Sequence, residues 1–326
     1  MKQINKTDDF TIIEVASGVY AVITEFMLAH GYCNSAIIDL GDKCLVFDTL
    51  GHPKTAKQLI QEAHELTGQK IVYLINSHWH WDHVWGNQSF EHAIFSTIKT
   101  REVMQDNQQE QLDSFKTSLP HYLEHGREQL EEGINGDSLF GFPYDTTEHF
   151  KRHLQSIQYL NDGLDDIDLR LPDFTFETRM QIWGSTRHVE LRAFHGLHSA
   201  SDLIMYIPDV KVLVGGDLVV SDILPFAYGE QPLKYAAIFK QLQAMEIEHI
   251  IPGHGTVADP EVLSILQNYW ELCHAAAKQA AQADDLESYL STLKRPQNIP
   301  ARFQGTDKTF QAAVRRFATY GILSNE

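Results

Sequence analysis

Within Ser77-His78-Trp79-His80-Trp81-Asp82-His83, three imidazoles and one carboxylate occupy four of six consecutive positions, the pattern H-x-H-x-D-H. Neutral imidazole and carboxylate are the ligand types that suit zinc and its first-row neighbours. Four such groups have no place side by side in a core strand, because each buried polar group needs a partner. The residues just before them, Lys70-Ile71-Val72-Tyr73-Leu74-Ile75, are a short apolar, β-branched run that predicts a buried strand. The cluster is therefore expected on the loop at that strand's end, where a rigid scaffold presents ligands. Its density carries the signal, since the chain holds 17 His and a single one elsewhere says little.

The rest of the composition bounds the setting. A chain of 326 residues, 43% hydrophobic and 21% charged, is an ordinary soluble globular protein of one large domain or two. No apolar run approaches a membrane span, and the N-terminus lacks a signal peptide's apolar core, so a cytoplasmic location without a membrane partner is expected. Cys33, Cys44 and Cys273 form no C-x-x-C pair and read as reduced, buried small hydrophobes. A net charge of −18 argues against nucleic acid as a partner, because phosphate backbones are bound through Lys and Arg. A small molecule is the expected substrate.

Along the chain, strands and helices alternate. Phe10 to Glu14 and Val19 to Thr24 read as one hairpin, and Ala36 to Leu40 with Cys44 to Asp48 as another. Pro53 opens a helix with Ala56, Leu59, Ile60, Ala63 and Leu66 on one face, closed by Gly68. From about 96 to 166 the chain turns acidic, glutamine-rich and helical. Asp145-Thr146-Thr147-Glu148 resembles a capping box there, ahead of Phe150, Leu154 and Ile157. This region is read as a helical insertion, either lying over the active-site face or forming a layer without contact to substrate. Strands return from Phe174 to Val214, a helix spans about Pro232 to Met245, and Ile250-Ile251 form a short strand. A helical extension then covers about 259–326, whose apolar faces pack on the domain or form a homodimer contact.

Three further polar residues stand beside predicted strands. They are His198 in His195-Gly196-Leu197-His198-Ser199-Ala200-Ser201-Asp202, Asp217 in Val214-Gly215-Gly216-Asp217, and His254 in Ile251-Pro252-Gly253-His254-Gly255. The glycines before Asp217 let the backbone approach something closely. Singly each reads as structural; together with the H-x-H-x-D-H run they make a constellation.

With these motifs assembled, the chain resembles the metallo-β-lactamase-fold metallohydrolases, the superfamily of glyoxalase II and the lactonases. The resemblance also rests on Gly18-Val19-Tyr20, Leu45-Val46-Phe47-Asp48-Thr49 and the H-S-x-x-D stretch. It implies an α/β (α+β) fold, the αββα sandwich of two facing sheets with helices outside, as a single domain over 1–326. It implies a dinuclear centre, with His78, His80 and His198 on the first metal, Asp82, His83 and His254 on the second, and Asp217 bridging. Two Zn2+ per chain are expected, Fe or Mn being acceptable to the carboxylate-rich second site. Asp48 matches a residue that orients the ligands from behind.

The implied chemistry is hydrolysis by a metal-bridging hydroxide, with Asp82 and Asp217 as catalytic carboxylates and Asp82 also a proton shuttle. Asp at 217, where zinc β-lactamases usually carry Cys or Ser, favours a general hydrolase of esters, thioesters or lactones. The alternatives are an iron-dependent persulfide dioxygenase, a β-lactam- or phosphoester-cleaving member of the fold, and a non-catalytic metal-binding sensor. Around the site, Trp79, Trp81 and Trp85 either rim an apolar substrate or pack beneath the loop. Trp85, Tyr228, Phe226 and His195 are the pocket candidates, Tyr228 as a hydroxyl facing an oxyanion.

Overall fold

Alternation along the strands decides what each face of the molecule touches. A computed structural model describes residues 1–25, 31–132 and 147–322. In it β1 (Lys2–Lys6), β2 (Thr11–Ala16), β3 (Val19–Ile23), β4 (Ser35–Asp39), β5 (Cys44–Phe47), β6 (Val72–Ile75), β7 (Ile94–Thr97) and β8 (Phe174–Phe176) bond in chain order into one sheet. The second sheet contains β9 (Arg179–Trp183), β10 (His188–His195), β11 (Ser201–Ile207), β12 (Val212–Gly216) and β13 (His249–Pro252), in the order 13-12-11-10-9. The helices are α1 (Pro53–Thr67), α2 (Trp81–Val84), α3 (Ile98–Glu132), α4 (Thr147–Gly163), α5 (Tyr235–Gln243), α6 (Glu261–Ala280), α7 (Leu286–Thr292) and α8 (Asp307–Arg316).

Ala36 and Ile38 on β4, with Leu45 and Phe47 on β5, point between the sheets and meet Leu203, Met205, Val212 and Val214. The intervening Ile37 and Val46 point the other way, onto Ala56, Leu59 and Ala63 of α1. Ile204, Leu213 and Ile250 do the same on the second sheet, beneath α5, α6 and α8. Period-two patterning thus yields four layers, the expected αββα order. Strands β1 to β5 are antiparallel, whereas β5 to β8 run parallel, which is why α1 must cross over between β5 and β6. That helix keeps its predicted limits: Pro53 stands in its first turn, and Gly68 ends it at φ 69°.

Three short elements, β1, β7 and α7, have no counterpart in the sequence analysis; Ile94–Thr97 pairs with β6 as a true strand, and α3 follows it at Ile98. Of the proposed capping box, Asp145 and Thr146 lie outside the described residues. The C-terminal helices pack on the second sheet, where Trp270 stacks on Tyr235 with ring centroids 4.0 Å apart. Among the described residues, no helix is long and apolar enough to cross a membrane.

Candidate metal centre

The loop after β6 gains its shape from the end of β5. Asp48 sits there at φ 64°, a left-handed conformation that turns its carboxylate toward the loop. One oxygen accepts from the Ser77 amide at 2.7 Å and the other lies 2.7 Å from His83 Nδ1. Thr49 donates its hydroxyl to the His83 carbonyl at 2.9 Å and accepts from the Gly86 amide at 3.0 Å. Ser77 Oγ is 2.8 Å from His78 Nδ1. Both imidazoles are thereby held by their Nδ1 atoms, leaving each Nε2 for the centre, the orientation that ligating histidines require.

The second sheet supplies three loops. Asp202 accepts from the Ser199 amide at 2.9 and 3.1 Å and fixes the turn that carries His198. His198 Nδ1 lies 3.0 Å from the Phe226 carbonyl, so its Nε2 points inward, 3.0 Å from His80 Nδ1. Asp217 follows Gly216 at φ 49°, where an added Cβ would stand 2.9 Å from Ser77 Cβ. That is the close approach the glycine pair predicted. Gly253, next to His254, is tighter still: a Cβ there would fall 2.1 Å from Asp217 Oδ1. Asn34, which the sequence reading missed, donates to the carbonyls of Pro252 at 2.9 Å and Gly255 at 2.8 Å, tying this loop to the first sheet.

Seven predicted residues converge. Ligand atoms of His78, His80, His198 and Asp217 lie within 4.8 Å of one another, as do those of Asp82, His83 and His254. Asp217 also reaches the second group: Oδ1 is 3.3 Å from His83 Nε2, while Oδ2 is 3.2 Å from His254 Nε2 and 3.3 Å from His198 Nε2. Asp82 Oδ2 lies 3.4 Å from His254 Nε2 and 3.5 Å from His83 Nε2.

The electrostatics favour a guest of positive charge. Burial, then neighbouring imidazoles, push His78 and His80 well below the ordinary histidine range, so both present neutral lone pairs. Burial would raise the Asp217 carboxyl, but His254, His83 and His198 outweigh it and hold it well below the carboxylate range. Burial likewise opposes charge on His83, yet Cys33, Asp82, Asp217 and Asp48 together raise it well above its usual value. Three buried carboxylates thus surround the site. Among the described residues, Asp217 Oδ1 and His83 Nε2 are buried without a hydrogen-bond partner. A carboxylate oxygen and an imidazole nitrogen that face each other 3.3 Å apart without a hydrogen bond, among buried carboxylates, fit a site for divalent cations, which satisfy both deficits.

A pocket of about 470 Å³ opens above these groups. Tyr228 stands at its mouth, edge-on to His80 and His198 with centroids 5.5 and 5.6 Å away, and Phe226 stacks on it at 6.0 Å. The insertion does contact the site: Gln111 and Phe115 of α3 line the pocket beside Trp79 and Trp81. Two pocket assignments need correction. Trp85 is 1% exposed beneath the loop, because Gln108 accepts from its Nε1 at 2.5 Å and its ring packs on Trp81. His195, at the end of β10, faces a neighbouring cleft instead. Gln108 is the second residue missed: its amide also donates to the Trp79 carbonyl, between His78 and His80.

Comparison with known proteins agrees with this architecture. Residues 28–101 match the profile of the metallo-beta-lactamase superfamily. No curated protein sequence matches the chain. A metallo-beta-lactamase from Pontibacter korlensis superposes with a TM-score of 0.56 at 16% identity, covering 81% of this chain and 99% of that one. The DIM-1 metallo-beta-lactamase gives 0.54 at 13% identity, and TMB-1 gives 0.53 at 14%, each covering 82% of this chain and 99% of its own. At such identities the likeness shows the fold.

Proposed function

From the metallo-β-lactamase fold and the seven converging side chains, we propose a dinuclear, zinc-dependent hydrolase that cleaves a small-molecule ester, thioester or lactone in the cytoplasm. One observation carries the reading: a single carboxylate, Asp217, stands between two ligand groups, its two oxygens 3.2–3.3 Å from nitrogens on both sides. His78, His80 and His198 would hold one ion, and Asp82, His83 and His254 the other, with Asp217 shared. Bound there, such ions activate water near neutral pH and polarise a scissile carbonyl.

The chain's own residues supply the rest. Asp48, Ser77 and the Phe226 carbonyl keep His83, His78 and His198 turned inward, so the ligands are organised before anything binds. Asp82 borders the pocket with an 11% exposed side chain, placed to pass a proton to a departing alkoxide or thiolate. Loss of solvent around the Tyr228 hydroxyl, then the Asp217 and Asp82 carboxylates, push it up to about 12. It therefore remains a neutral donor, suited to a developing oxyanion at the pocket mouth. The test is metal analysis of purified protein together with turnover on a panel of esters, thioesters, lactones, β-lactams and phosphoesters. Two ions per chain and turnover of acyl substrates support the reading. One iron with oxygen consumption would assign a dioxygenase instead, and a full metal load without turnover would leave a sensor.

A further inference from the structure

The pocket above the metal centre brings together two unlike sets of side chains. Asp82, Asp217 and His254 form one; Trp81, Phe115, Val220, Ile223 and Phe226 face the same space. Phe115 arrives on α3, and its ring centroid lies 5.2 Å from those of both Trp81 and the buried Trp85. The aromatic packing beneath the ligand loop thus continues upward into the pocket. Trp79 and Tyr228 border a second space of about 660 Å³ as well, whose mixed lining includes the charged or polar side chains of Lys99, Glu102, Glu177, His195 and Arg316. Apolar surface at a site of charged ligands is favourable to cover with an apolar group, which releases the water lying on it. Charged and hydrogen-bonding groups would lose solvation against those apolar side chains and keep partners beside Lys99, Glu102 and Arg316 of the neighbouring cleft.

Resting on the hydrolase reading, we infer that the substrate is amphipathic. Its bulky apolar acyl or aryl group sits against Phe115, Trp81 and Ile223, and its polar remainder passes between Trp79 and Tyr228 into the neighbouring cleft. Phe115 is then a specificity residue that the helical insertion delivers to the site.

Titration of the zinc-loaded protein with straight-chain carboxylates, from acetate to octanoate, tests this through binding alone. Affinity is expected to rise about fourfold per methylene from acetate to hexanoate, the gain for burying a CH₂. Adipate, with a second charge at the far end, is expected to bind no more tightly than acetate. Phe115→Ala should halve the slope and Phe115→Leu should keep most of it. A flat series, or a slope unchanged in both Phe115→Ala and Ile223→Ala, overturns the inference. Since no turnover is required, a flat series leaves the hydrolase reading standing. A steep series without hydrolysis of any panel substrate removes that reading and keeps the apolar chamber.

Discussion

The first sheet delivers four of the seven convergent side chains from one turn after β6, whereas the second delivers three from separate loops after β10, β12 and β13. In the first, side-chain hydrogen bonds do the positioning: Asp48 to Ser77 and His83, Thr49 to His83 and Gly86. In the second, Asp202 and Asn34 also bond the His198 and His254 loops, but Asp217 and His254 meet through backbone closeness at Gly216 and Gly253, where an added Cβ would clash. One half should respond to lost polar groups in graded fashion. The other should fail when volume is added.

The largest contrast is expected between Asp217→Ala and His80→Ala. Removing the shared carboxylate should lower metal content below one ion per chain and cut kcat/KM by at least about 10³-fold. His80→Ala should leave the Asp82, His83 and His254 group able to hold one ion, as elemental analysis would show. Equal metal loss in both variants would break the picture of a shared Asp217.

Next comes Gly253→Ala, which thrusts a methyl against Asp217 Oδ1 and Gly216. Overpacking of this kind costs about 1–3 kcal/mol. We expect a lower denaturation midpoint and weaker metal binding together. Unchanged stability would show that the second half tolerates volume after all.

A graded loss is predicted for Asp48→Asn in the first half. It keeps the shape but replaces an ionised acceptor behind His83, and metal affinity measured by chelator competition should fall about 10–100-fold. Smallest in its effect on the ions is Gln108→Leu. It strips partners from the Trp85 indole and the Trp79 carbonyl, a cost of about 1–3 kcal/mol in denaturant unfolding. A far weaker metal affinity in this variant than in Asp48→Asn would reverse the ranking of the two supports.

The same contrast explains what the sequence revealed. The contiguous H-x-H-x-D-H run declares itself, because four ligand types in six positions have no ordinary structural use. His198, Asp217 and His254 become legible only beside it, through the Gly-Gly-Asp and Pro-Gly-His contexts. α1 was readable from end to end, since Pro53 and Gly68 act through backbone conformation alone. Strand β7 was not: its four residues run straight into α3 without glycine or proline to mark a boundary. Gln108 lies in a run with Gln105, Gln109 and Gln111, which reads as a solvated face. Only tertiary packing shows that it is buried while Gln109 is exposed. Trp85 misled in the opposite sense, as an aromatic near ligands fits a pocket rim and a core equally well. Asn34 acts on residues more than 200 positions away, a partnership that no local pattern encodes.

Gln108 and Phe115 lie seven residues apart, two turns along one helix, and so share a face. One side chain grips the turn that carries His78 and His80, and the other shapes the space above it. On the proposed function, recognition and metal assembly would thus be mechanically joined rather than modular. Grafting this helix onto another scaffold to transfer its selectivity would require moving the 77–85 turn with it, or the graft would arrive with its anchor missing.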